Sequence, residues 1–165
     1  MIKVLIFDWG DTVMRDFPYK TGPMYNWDFV EWIPGLEEQL KILSVRFITC
    51  LASNAGESDT GLMIRALQRI DAAKYFNYFF TSKDLGFEKP DLQFFLSICN
   101  NLSCQPFECI MIGNDYNKDI AGAKNSGMFT IYFNENNLSG AFDKADKIIN
   151  NMSDLISAIK SLINS

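Results

Sequence analysis

Ile112-Gly113-Asn114-Asp115-Tyr116-Asn117-Lys118-Asp119-Ile120-Ala121-Gly122-Ala123-Lys124-Asn125-Ser126-Gly127-Met128 decides the architecture of this chain. It leaves an apolar run, Cys109 to Ile112, of strand length and without helical period. The run breaks at Gly113-Asn114-Asp115. Asp119 then opens a helix carrying Ile120 and Ala123, and Gly127 delivers the chain to a second apolar run, Met128 to Phe133. Two such runs joined by a helical segment predict parallel strands with a crossover.

The same rhythm extends towards the N-terminus. Further apolar runs occupy Ile2 to Phe7, Val45 to Leu51 and Tyr78 to Phe80. Helical stripes separate them: Leu36, Leu40 and Leu43 after Pro34-Gly35, and Leu62, Met63, Ala66, Leu67 and Ile70 after Ser58-Asp59. Pro90 is placed in the first turn of a helix over Asp91 to Asn101, and Ser153-Asp154 opens a last helix striped by Leu155, Ile156, Ile159, Leu162 and Ile163. Five strands alternating with helices predict an α/β fold, a three-layer Rossmann-like parallel sheet with helices on both faces.

One segment breaks the pattern. Residues 13–33 follow the first strand with two prolines, a glycine, Arg15, Lys20 and the aromatics Phe17, Tyr19, Tyr25, Trp27, Phe29 and Trp32, in no period of either kind. They read as a flap whose aromatics pack down on the domain. At 165 residues, 48% hydrophobic and 21% charged, with no repeat or long linker, the chain is expected to form one soluble domain over 1–165. A net charge of −5 argues against nucleic acid as a partner. The opening apolar run is too short to span a membrane and lacks a signal-peptide cleavage site, so no membrane partner and a cytoplasmic location are expected.

The absence of histidine removes the usual general base, the usual zinc ligand and every imidazole triad. Cys50, Cys99, Cys104 and Cys109 form no C-x-x-C pair and read as reduced thiols. Catalysis would therefore run on carboxylates, amines, hydroxyls or thiols. In an open parallel sheet, ligands bind beyond the carboxyl ends of the strands. The polar residues there are Asp8-Trp9-Gly10-Asp11-Thr12 after the first run, Ser53-Asn54 after the second, Lys89-Pro90 before the helix that follows the third, and Gly113-Asn114-Asp115 with Asp119 after the fourth. A carboxylate nucleophile, a hydroxyl and an ammonium for phosphate oxygens, and hard oxygen donors for magnesium make a phosphoryl-transfer inventory.

These four ordered clusters, above all Ile112 to Met128 and then Gly86-Phe87-Glu88-Lys89-Pro90-Asp91, resemble the haloacid dehalogenase (HAD) superfamily over nearly the whole chain. The resemblance implies a Mg²⁺-dependent phosphomonoesterase acting through an aspartyl-phosphate on Asp8. Thr12, Ser53 and Asn54 would orient substrate oxygens, and Lys89 would hold the phosphoryl group and neutralise Asp8. Asp8, the Gly10 carbonyl, Asn114, Asp115 and Asp119 make up the implied metal set, with Asp119 open either to a helix N-cap or to a supporting metal role.

Two positions depart from the family pattern. Gly10 stands where most family phosphatases carry a second aspartate that protonates the leaving group and activates water. Asp11 is the nearest replacement, and a slow enzyme is expected, since general acid–base help is worth about 10²–10⁴-fold. Asn114 stands where the family most often has a metal-binding aspartate. Both departures keep open an alternative, a catalytically impaired phosphate-binding or regulatory protein. Neither gap between motifs is long enough for a cap domain, and capless members often take large substrates or oligomerise. The implied partners are a phosphorylated small molecule or phosphoprotein, and a second copy of the chain.

Overall fold

A computed structural model describes residues 1–164; Ser165, the last position of the 1–165 span, lies outside the described residues. Six parallel strands, β1 (Val4–Phe7), β2 (Ile48–Ser53), β3 (Tyr78–Thr81), β4 (Cys109–Gly113), β5 (Phe129–Phe133) and β6 (Lys147–Ile149), form one sheet in the order β3-β2-β1-β4-β5-β6. The α/β class is as expected from the alternating runs. The sixth strand was not, because three residues with only Ile149 buried carry too little pattern to register.

Each central strand buries both faces. Leu5 and Phe7 of β1, Leu51 of β2 and Ile110 and Ile112 of β4 pack against α1 (Leu36–Leu43), α2 (Thr60–Gln68) and α6 (Leu155–Ile163), while the short α3 (Ser82–Leu85), α4 (Leu92–Leu102) and α5 (Gly122–Asn125) complete the helices. Val4, Ile6, Cys50, Ala52 and Met111 face the other layer, where α4 presents Phe94, Phe95 and Ile98 and α5 presents Ala123. Period-two burial on strands between two helical layers is what a doubly covered parallel sheet requires.

Several boundaries differ from expectation. β2 starts at Ile48 because Val45, 81% exposed, belongs to the turn leaving α1, and it runs on to include Ser53. Asp91, not Pro90, caps α4, accepting from Gln93 N at 2.8 Å, so Pro90 precedes the helix. Asn151 caps a short turn, Met152–Asp154, that leads into α6. All four cysteines are free, and the sulfurs of Cys99, Cys104 and Cys109 gather within 4.8 Å of one another at the start of β4. Among the described residues, no helix is long and apolar enough to cross a membrane.

Residues 13–33 form an irregular excursion with one short helical turn, Met24–Asn26, and bridges joining Gly10 to Met14 and Met14 to Trp32. Val13, Met14 and Ile33 are fully buried in the layer of α1 and α2. Tyr25, Trp27 and Trp32 pack against the same core as expected, while Phe17, Tyr19 and Phe29 cluster with Trp27 around the Lys20 ammonium, 3.7 Å from the Phe29 ring centre. Arg69, at the C-cap of α2, donates to the carbonyls of Tyr25 and Trp27, and Trp32 Nε1 donates to Ile70 O at 3.0 Å. The segment is thus tied down along its length.

Candidate active site

β1 and β4 lie side by side while their chains depart for opposite layers, β1 towards α1 and β4 towards α5. This switch point opens a crevice at the strands' carboxyl ends. A cleft of about 360 Å³ lies there, lined by Asp8, Ser53, Lys89, Asn114 and Asp119 and roofed by the flap through Met24 and Trp27. The four polar clusters of the sequence meet in it.

Asp8 leaves β1 with its N–H still donating to Ile112 O at 2.9 Å, which holds it against β4. Its Oδ1 accepts from Lys89 Nζ at 2.6 Å. Lys89 also donates to Asp119 Oδ1 at 2.7 Å and to the Ala52 carbonyl at 3.1 Å, and its side chain is only 3% exposed. A buried ammonium survives because two carboxylates and a carbonyl replace its water. Burial acts to lower its pKa, yet Asp119 and Asp8 offset this and hold it above the usual lysine range.

Asp119 is 1% exposed and wedged against the end of β4. A side chain on Gly113 would overlap it, since a Cβ there would fall 2.3 Å from Asp119 Oδ2. That oxygen accepts from Asp115 N at 3.0 Å. Burial first, and the Asp8 carboxylate second, push the Asp119 carboxyl up to about 7 against the pull of Lys89. Asp119 is not a helix cap, because it lies inside the wide helical turn Tyr116–Ala121. Asp115 caps that turn, its Oδ1 accepting from Asn117 N and Lys118 N.

The remaining expected residues separate by what already holds them. Asn54 clamps the main chain of Lys89, donating to Lys89 O at 3.0 Å and accepting from Lys89 N at 2.8 Å, so its amide positions the lysine. Ser53 Oγ accepts from Ala55 N at 3.0 Å, which leaves its hydroxyl hydrogen for a ligand. Thr12, fully buried, donates to Asn114 Oδ1 at 3.2 Å and orients that amide. Asp11 adopts a left-handed φ of 53°, which aspartate tolerates better than most residues, and its Oδ1 accepts from Arg15 Nη1 and Asp16 N. It shapes the turn into the flap.

The oxygens of Asp8, Gly10 and Asn114 that border the cleft suit a hard divalent cation in kind, being carboxylate, carbonyl and amide. The charge balance suits one as well: Asp8, Asp11, Asp16, Asp115 and Asp119 surround the cleft beside the single buried ammonium of Lys89. Sequence reasoning missed three features. The Ala52 carbonyl is invisible to any side-chain pattern, the roof of Gly22 to Trp27 is aperiodic, and Asp16, also in the flap, enters the cleft only through the chain's return over Gly10. Burial, then the Asp11 and Asp8 carboxylates, raises the pKa of Asp16.

A family model described as haloacid dehalogenase-like hydrolase matches residues 22–127. A glyceraldehyde 3-phosphate phosphatase of Methanothermobacter thermautotrophicus is 35% identical over 81 residues, 49% of this chain but only 36% of that relative. The chain therefore spans little over a third of the length of such curated relatives. In structure, an uncharacterised protein from Listeria monocytogenes serotype 4b superposes with a TM-score of 0.86 at 24% identity, covering 99% of this chain and 100% of the other. The HAD-hydrolase YfnB of Bacillus subtilis, solved bound to magnesium, gives 0.78 at 15% identity over 94% and 97% of the two chains.

Proposed function

The chain belongs to the haloacid dehalogenase-like hydrolases, and from that premise we propose that it is a phosphomonoesterase that transfers the phosphoryl group of a small phosphorylated metabolite to Asp8 and then to water. The observation that carries this is the Lys89 bridge, one buried ammonium donating to both Asp8 and Asp119 at the mouth of the sheet. Lys89 fixes Asp8 through Oδ1, and Oδ2, without a hydrogen-bond partner among the described residues, is the oxygen that attacks phosphorus. The same ammonium offsets negative charge as an anionic substrate approaches an anionic nucleophile. The Ser53 hydroxyl donates to a phosphoryl oxygen.

Asp8, the Gly10 carbonyl and Asn114 would hold Mg²⁺, with Thr12 orienting the amide; Asp119 and Asp115 support the site through Lys89 and the turn. When bound, the ion supplies charge stabilisation at the transferring phosphoryl group. A cleft of about 360 Å³ suits a small ester, in keeping with the glyceraldehyde 3-phosphate phosphatase named among the relatives.

Asp8→Asn and EDTA treatment are each expected to abolish hydrolysis of p-nitrophenyl phosphate, with Mg²⁺ restoring the second loss. Activity surviving either change contradicts the proposal. The Gly10 and Asn114 departures favour one other reading, a phosphate binder without turnover. It would show phosphate binding by calorimetry and no hydrolysis of any phosphoester.

A further inference from the structure

Expelling an alkoxide from a phosphomonoester requires a proton delivered to the departing oxygen, and freeing Asp8 afterwards requires one removed from water. Most carboxylates around the cleft are already engaged: Asp8 and Asp119 by Lys89, Asp115 by the turn it caps, Asp11 by Arg15 and Asp16 N. Among the described residues, the carboxylates of Asp16 and Glu57 alone border the cleft with neither hydrogen bond nor ion pair. Glu57 stands on the exposed turn after β2. Asp16 stands in the flap over Gly10, two residues beyond Asp8.

The position of Asp16 is specific. A Cβ built on Gly10 would lie 3.4 Å from both Cβ and Oδ2 of Asp16 and 3.7 Å from its Cγ. The Asp16 carboxyl therefore fills the space into which a side chain at position 10 would grow. The backbone brings it there by the Gly10–Met14 bridge and by Asp16 N donating to Asp11 Oδ1 at 3.1 Å. Next to it, Arg15 is anchored in a two-bond clasp to Glu135 at 2.7 and 2.8 Å.

We propose that Asp16 is the proton-transferring residue of this site, acting from the flap in place of the side chain that glycine at position 10 lacks. This rests on the aspartyl-phosphate reading above. As the Asp8 oxygen bonds phosphorus and the ester P–O bond breaks, the Asp16 carboxyl gives its proton to the departing oxygen. In the second step the Asp16 carboxylate takes a proton from water while the water oxygen bonds phosphorus and the bond to Asp8 breaks. Both carboxyl groups return to their starting states.

With p-nitrophenyl phosphate, whose leaving group departs unaided, Asp16→Asn is expected to give a stoichiometric burst followed by steady turnover slowed about 10²–10⁴-fold. Benzyl phosphate, with a poor leaving group, is expected to show the slow rate and no burst, and Glu57→Gln to behave as wild type on both. Gly10 has no positive φ, so an aspartate can be placed there. Adding Gly10→Asp to Asp16→Ala is expected to recover at least about tenfold of the lost rate. The proposal is overturned if Asp16→Asn turns over both esters at the wild-type rate, or if Glu57→Gln shows the burst instead. It is also overturned if Gly10→Asp fails to rescue an Asp16→Ala protein whose circular dichroism matches wild type. A wild-type protein without turnover, or an active Asp8→Asn variant, overturns the underlying phosphatase reading instead.

Discussion

Lys89 concentrates the chemistry and the stability of the site in one ammonium. Replacing it by methionine, of similar length, leaves Asp8 and Asp119 facing each other without a cation. Breaking a buried pair in this way costs about 3–5 kcal/mol, so Lys89→Met is expected to lower the urea midpoint by a corresponding amount and to lose hydrolysis. An unchanged midpoint would show that Asp8 and Asp119 do not depend on it. Asp8 and Lys89 were legible in the sequence because each stands where a strand or its following helix opens onto the ligand side. The task of Asn54 was not. An asparagine after a strand looks the same whether it faces a ligand or, as here, both main-chain groups of Lys89. Asp16 was less legible still, since no local period leads from Gly10 to a residue six positions on.

At the level of elements, the apolar runs gave the central strands and the helical stripes gave the layers, because burial on two faces writes itself into composition. Ends were less legible: Val45 is apolar but sits in a turn, and β6 is too short to show a period. In the Asp115 to Asp119 turn, two aspartates compete for one cap, and only the packing of Asp119 under Gly113 settles which has it. The start of the flap is fastened by the Arg15–Glu135 clasp. Arg15 holds the Glu135 carboxyl below the usual carboxylate range. A depressed folded pKa contributes stability that is complete above the unfolded value, about 4.3, and is lost as pH falls through the folded one. Amide exchange at residues 13–16 is therefore expected to quicken as pH drops below about 4 relative to intrinsic rates, and Glu135→Gln is expected to remove that dependence. A pH-independent pattern in wild type would mean that the clasp does not restrain the flap.

Across the whole molecule, an acidic protein of net charge −5 gathers five aspartates around one cleft and sets a single buried lysine among them. That arrangement repels anions unless cationic charge is added, so phosphate chemistry in this cleft calls for a divalent ion. The sheet supplies the geometry by parting β1 and β4 at its switch point, the histidine-free composition leaves carboxylates to do the work, and the flap closes the roof. The central claim is that phosphate passes through Asp8. Quenching the enzyme with borohydride during turnover of p-nitrophenyl phosphate converts an acyl phosphate to an alcohol, and peptide mass mapping then locates the reduced residue. The mark is expected at position 8 and nowhere else; turnover with position 8 unmarked, or with the mark on another carboxylate, would contradict phosphate passage through Asp8.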